Sequence, residues 1–312
     1  MDSEKKLETS DKIVANKYRI CELIARGAFG AVFKGESLGN SESVAIKFEN
    51  PGEMKSLKHE TKILNYLYFN KVRQIPAIYW YGLYGNLPCL VITYYERSLE
   101  SYINSIHNNN NTNNISILDE KTQKNIDKII ASMIQILSSL HKYFVLHRDL
   151  KPQNFMIKND KLYLIDFGLA TFYIGEDGLH WPDTECSTII GTPKFMSINI
   201  LKGHRFSRRD DIISIAYIYI YMCLGYCPWT NPTTESSMFI KEENREVEED
   251  ILNIEHPINK IRLSNKQIEL FKKDPQMNKL EKAIIFLEQV YSYEYEDTPE
   301  YEKFIEYFYT ND

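Results

Sequence analysis

Residues 147–168 read HRDLKPQNFMIKNDKLYLIDFG, and this run constrains the chain more than any other. Within twenty-two residues it holds Asp149, Lys151, Asn154 and Asp166, with two short apolar segments of strand length, Phe155 to Ile157 and Leu162 to Ile165, between the last two. These are the groups that phosphoryl transfer requires: a carboxylate near the acceptor hydroxyl, a cation near the moving phosphate and hard oxygen ligands for magnesium. Charge and reach assign the roles. Asp149 accepts or orients the proton of the attacking hydroxyl, Lys151 neutralises the transferred phosphate, and Asn154 with Asp166 holds Mg2+.

The rest of the composition excludes other classes. The 312 residues are enough for one large domain or two modest ones with a proper core. A formal charge of −6 with both signs interspersed leaves no basic footprint for nucleic acid and no polybasic tail for a membrane. The five cysteines, Cys21, Cys89, Cys186, Cys223 and Cys227, are odd in number and form no C-x-x-C pair, which argues for reduced thiols over a disulfide or zinc framework. The charged N-terminus has no apolar signal core. The longest apolar run, Ile212 to Leu224, is shorter than the roughly 20 residues that cross a bilayer and reads as a buried helix. The expectation is a soluble monomer of the cytoplasm, with the nucleus open.

Over its whole length the 147–168 run resembles the catalytic loop and metal-binding turn of protein kinases without a gap, and the upstream sequence takes meaning from that. Residues 1–16 read as a polar, flexible lead-in. Tyr18 to Ala25 and Ala31 to Lys34 then flank the glycines of Ala25-Arg26-Gly27-Ala28-Phe29-Gly30 as a hairpin would. Alone, two glycines in a turn are ordinary. Followed by Val44-Ala45-Ile46-Lys47 and by Glu60 on a helical stretch from Ser56 to Tyr68, they read as the loop and ion pair that hold ATP. Gly27 and Gly30 let backbone amides approach the phosphates. Ala25 stands where the pattern has its first glycine, so weaker nucleotide binding is expected. Strands Ile75 to Gly82 and Leu87 to Thr93 complete an antiparallel sheet, and the crossover after Thr93 is the expected hinge. There the backbone of Thr93 and Tyr95 would meet adenine and Ile92 would close the pocket. Ile24, Val32, Ala45 and Met156 would form its apolar walls.

Asn104 to Asn114 is Asn-rich and aperiodic, the mark of a surface loop. From Ile115 to Tyr143 helical spacing resumes, leading into the catalytic loop. Beyond Gly168, Gly191-Thr192-Pro193-Lys194-Phe195-Met196-Ser197-Ile198-Asn199 carries Ser-Ile-Asn where most kinases have Ala-Pro-Glu. Phe206-Ser207-Arg208-Arg209-Asp210-Asp211, the apolar helix and Cys227-Pro228-Trp229 follow. With Tyr291-Ser292-Tyr293 and Thr298-Pro299-Glu300-Tyr301, this combination resembles the casein kinase I family from about Tyr18 to the C-terminus.

The resemblance implies a two-lobed α+β kinase fold, with a sheet lobe over 17–93 and a mainly helical lobe over 94–312. It also implies ATP- and magnesium-dependent phosphorylation of Ser or Thr in protein substrates, acidic ones included. Lys151 fits Ser/Thr rather than Tyr kinases. Thr192 would contact Asp149 and Lys151, and Asp211 would brace the catalytic loop, whereas Asp210 has the ordinary reading of a helix N-terminal charge. Departures bear on substrate: Thr171-Phe172 replaces lysines, Lys194 replaces an arginine, and the stretch after Trp229 is acidic, Glu242 to Asp250 above all. An anion pocket of Arg148, Lys194 and Arg205 would then survive in reduced form, weakening any preference for phosphate-primed acceptors. The competing classes are a pseudokinase that binds nucleotide or partners, and a scaffold using the acidic segment.

Overall fold

The computed structural model describes residues 12–27, 30–50, 56–108, 118–186, 188–230, 266 and 280–309. Strand β1 (Ile13–Val14) leads into the hairpin of β2 (Tyr18–Gly27) and β3 (Gly30–Ser37). β4 (Ser43–Glu49), helix α1 (Ser56–Phe69), β5 (Ile78–Tyr84) and β6 (Leu87–Thr93) follow. Antiparallel pairing orders the sheet β1-β2-β3-β4-β6-β5. Its two faces follow the two-residue period of a strand. Val44, Ile46, Cys89 and Val91 pack with Val14 on one face, and Ala45, Leu90 and Ile92 pack with Leu57 of α1 on the other. Lys47, two residues after Ala45, is directed to the α1 side by the same period.

The lead-in expected to reach residue 16 is shorter than that. Ile13–Val14 pairs with β2, and Val14 is fully buried because it completes the apolar face under Trp80 and Phe33. Residues 1–11 lie outside the described residues.

After β6 the chain crosses to β7 (Arg97–Ser98), α2 (Leu99–Asn108) and α3 (Glu120–Lys142). Asp119 caps α3 by accepting the Thr122 amide at 2.7 Å. The Asn-rich stretch is therefore not all loop: 104–108 is the end of α2, where His107 Nε2 donates to the Met222 carbonyl at 2.9 Å. Residues 109–114 of that stretch lie outside the described residues. Next come β8 (Val145–Leu146), β9 (Phe155–Lys158), β10 (Lys161–Leu164), β11 (Thr171–Phe172), α4 (Ile198–Leu201) and α5 (Arg208–Leu224). Helices α6 (Glu281–Tyr291) and α7 (Tyr301–Tyr309) close the described chain.

Helix α5 is apolar on every side, and such a helix must be enclosed. All of its residues from Arg209 to Leu224 are buried. They share one core with Ile126, Ile130, Ile134 and Leu137 of α3, Phe286 and Leu287 of α6, and Phe304 and Phe308 of α7. Asp210 Oδ2 accepts the Ser207 amide at 2.9 Å, closing the helix start, and Gly225 ends the helix at φ +78°. Among the described residues no helix is long and apolar enough to cross a membrane, and all five cysteines are free. A two-lobed arrangement results, the antiparallel sheet with α1 on one side of the crossover and the helical core on the other. The acidic stretch 242–250 lies outside the described residues.

Candidate active site

The catalytic loop is the connection between β8 and β9, and three features fix it. Asn159 and Asp160 sit at φ +50° and +57°, the conformation of a two-residue hairpin turn, so β9 and β10 pair directly and bring Asp166 back beside the loop. β8 pairs with β11, holding the loop's start against the segment after Gly168. Asp211, fully buried at the start of α5, accepts the amide of His147 at 2.8 Å and that of Arg148 at 3.0 Å. Arg148 itself stands at φ +67°, a conformation that non-glycine residues rarely adopt and that its surroundings must hold. The bracing expected of Asp211 is thus visible as two hydrogen bonds.

From that loop Asp149, 7% exposed, projects into a network of four side chains. Its Oδ1 accepts from the Thr192 hydroxyl at 2.6 Å, and its Oδ2 accepts from Lys151 Nζ at 2.7 Å and Asn154 Nδ2 at 3.2 Å. Lys151 Nζ also donates to Thr192 Oγ1 at 3.2 Å. Thr192 reaches this position because Gly191, at φ +102°, packs onto the loop; a Cβ there would lie 2.2 Å from the Arg148 carbonyl.

A second cluster joins the lobes. Lys47 Nζ lies 2.8 and 3.0 Å from the two Glu60 oxygens and 3.3 Å from Asp166 Oδ1. Burial works against the Lys47 charge, but Asp166 and Glu60 outweigh it and hold the amine above its ordinary range. Lys47 in turn holds the Asp166 carboxyl below its ordinary range against the cost of burial. Burial pushes Glu60 up despite Lys47. Glu60 Oε1 also accepts the Phe167 amide at 3.3 Å, and His59 Nε2 donates to the Ala170 carbonyl at 2.6 Å. Neither link was anticipated: backbone partners leave no mark in sequence, and a histidine beside Glu60 is the only hint.

The donor set suits a hard cation. Asn154 spends its amide nitrogen on Asp149, at 2.9 Å to the carbonyl, so a metal ion would take its Oδ1, and Lys47 holds the Asp166 carboxyl below its ordinary range. Among the described residues no three His, Cys, Asp or Glu side chains converge on a metal position. Two protein oxygens completed by phosphates and water are the usual magnesium arrangement.

The apolar walls are partly assembled. Val32, Ala45 and Ile92 share a cluster with Leu57 and Leu90. Ile24 is the extra residue of a β-bulge between Leu23 and Ala25 and is 49% exposed, at the cleft's rim. Met156 on β9 pairs with Ser98 at the foot of the crossover. The Thr93 amide is committed to the Ala77 carbonyl at 3.1 Å, so a base contact from Thr93 falls to its carbonyl. Tyr95 buries its ring 4.9 Å from that of Tyr163. Gly27 faces open space, whereas Gly30, at φ +149°, is required by the sheet, since a Cβ would lie 1.8 Å from the Phe48 carbonyl. Strand packing by itself therefore requires a glycine at position 30. Each of the three cations of the expected anion pocket has a partner of its own: Arg148 Nε donates to the Leu169 carbonyl, Lys194 lies over the Tyr221 ring at 4.8 Å, and Arg205 lies over that of Trp181 at 5.0 Å. Burial and the nearby charge of Arg205 bring the Arg148 guanidinium below its ordinary range.

Comparison with known proteins gives a consistent answer. The family model described as protein kinase domain matches residues 18–307. Casein kinase I homolog 3 of Schizosaccharomyces pombe is 31% identical over 225 residues, covering 70% of this chain and 48% of that protein. Casein kinase I homolog 1 of Saccharomyces cerevisiae is 32% identical over 225 residues, covering 70% of this chain and 39% of that protein. The chain thus spans less than half the length of these curated relatives.

Proposed function

The chain belongs to the protein kinase family, and on that footing we propose that it transfers the γ-phosphate of ATP to Ser and Thr hydroxyls of proteins, in the manner of its casein kinase I relatives. One observation carries the proposal: the Lys47 amine stands within hydrogen-bond reach of both Glu60 and Asp166. That contact sets strand β4, helix α1 and the metal-binding turn in register for a triphosphate and supports activity over mere nucleotide binding.

In this reading a substrate hydroxyl takes the place of the Thr192 hydroxyl at one Asp149 oxygen and is oriented for in-line attack. Lys151, already on the other oxygen, neutralises charge on the transferred group. Asn154 and Asp166 hold Mg2+, which draws charge from the phosphate oxygens when bound. Lys47, kept charged by its two carboxylates, steadies the α- and β-phosphates. Acceptors with acidic surroundings fit Arg148, Lys194 and Arg205. Priming by phosphate should contribute little, because Lys194 offers no bidentate fork and lies over an aromatic ring. A monomer acting in the cytoplasm, without nucleic acid or membrane, completes the proposal.

The test is magnesium-dependent transfer of labelled γ-phosphate from ATP to an acidic protein, with Asp149→Ala in parallel. Transfer that disappears in the variant is expected. Folded, ATP-binding protein that labels no acceptor would replace this reading with that of a pseudokinase.

A further inference from the structure

Lys266 is fully buried, an unusual state for a lysine. Its amine donates to the carbonyls of Pro193 at 3.0 Å and Met196 at 2.5 Å. It also lies 4.4 Å from the centre of the Tyr217 ring and 5.6 Å from that of Trp229, which pack against each other at 4.6 Å. Trp229 Nε1 donates to the carbonyl of Lys194 at 2.6 Å, between the two that Lys266 takes. The Ile198 amide is held too, by the Tyr291 hydroxyl at 2.8 Å, and that hydroxyl bonds Tyr217 at 2.8 Å.

The short helical turn Pro193–Phe195 is therefore gripped from inside the helical lobe, carbonyl by carbonyl. Thr192 is the residue that opens this turn, and its hydroxyl is on Asp149. An ammonium group can serve two carbonyls and a ring face at once, which a neutral side chain of that length cannot.

We propose that Lys266 is a positioning residue for the acceptor side of the cleft, fixing the 192–196 turn, and through it Thr192, against Asp149. The inference rests on the kinase reading above and adds to it a specific cause for acceptor placement. It separates acceptor from nucleotide: the elements assigned to ATP, from β2 to β6 and Asp166, make none of these contacts. Loss of the amine should hence disturb the hydroxyl's placement while leaving ATP in its site.

The experiment compares the full chain with Lys266→Met, which keeps the apolar stem, and Lys266→Arg, which keeps charge and donors. Steady-state constants for a Ser/Thr peptide and for ATP, ATP hydrolysis without acceptor, and amide hydrogen exchange across 192–198 are measured for each. For Lys266→Met, kcat/KM for the peptide should fall about tenfold to a hundredfold, as misplacement of a reacting group does. The KM for ATP and acceptor-free hydrolysis should stay close to the parent values, exchange in 192–198 should quicken, and Lys266→Arg should recover much of the loss. Lys266→Gln, which retains amide donors, takes the methionine variant's place if that variant does not fold. Equal losses in peptide transfer and ATP hydrolysis, or unchanged kinetics and exchange, overturn the assignment. If the parent transfers no phosphate at all, the kinase reading fails, and exchange across 192–198 still decides whether Lys266 holds the turn.

Discussion

Two adjacent aspartates at the start of α5 show how surroundings divide the work of like residues. Burial pushes the Asp210 carboxyl up despite its hydrogen bond from Ser197, and its task is to close the helix start. Asp211 is equally buried, yet hydrogen bonds from His141 and from the His147 backbone bring it below its ordinary range. A lowered carboxyl favours the folded state above its unfolded pKa, about 4, and loses that contribution as pH falls through the lower folded value. Asp211→Asn should thus cost about 3 kcal/mol at neutral pH, where one of the two buried acceptor oxygens becomes a donor and the negative charge facing the loop amides is lost. Denaturant titrations should show this gap narrowing only below pH about 4; a gap independent of pH would refute it. At the lobe junction, Lys47→Met should reduce transfer about a hundredfold or more with the fold intact, since it removes a charge aimed at the phosphates. Labelled-phosphate transfer and thermal unfolding, measured together, check both halves.

At the scale of elements, helix α7 reaches the catalytic loop through one histidine. The Tyr301 hydroxyl donates to His141 Nδ1 at 2.5 Å, His141 Nε2 donates to Asp211 at 3.1 Å, and Asp211 holds the loop amides. Tyr301→Phe leaves a buried ring nitrogen without its donor and should cost about 1 to 3 kcal/mol. Equilibrium unfolding would expose the error if the variant matched the parent. Helix α1 is tied the other way, by His59 to the Ala170 carbonyl and by Glu60 to the Phe167 amide. These bonds tie α1 to the turn that carries Asp166, so the Lys47 contact depends on elements on both sides of the crossover.

For the whole molecule, substrate choice depends on where cations end up after folding. Arg148, Lys194 and Arg205 each have a backbone or aromatic partner, and burial together with the nearby charge of Arg205 brings the Arg148 guanidinium below its ordinary range. A pre-phosphorylated peptide should be turned over only a few-fold better than its unmodified twin, and a large preference in paired kinetic assays would restore the strong anion site. The chain's span, less than half of its curated relatives, makes activity a property to be measured on this chain itself.

Much of the site was legible before folding was considered. The run from His147 to Gly168 is local, so the order Asp149, Lys151, Asn154, Asp166 and the hairpin between them are written in spacing alone. Lys47 and the apolar helix were readable for the same reason, as period and run length are properties of neighbours in sequence. Tertiary structure decided what depends on distant backbone. It put Val14 under the sheet where a loose lead-in was expected, extended α2 into the Asn-rich stretch, and gave Gly30 its reason in the Phe48 carbonyl. It also set Lys266 beneath the turn that carries Thr192. A carbonyl is the same in every residue, so sequence cannot say which one a side chain will meet; only packing brings the two together.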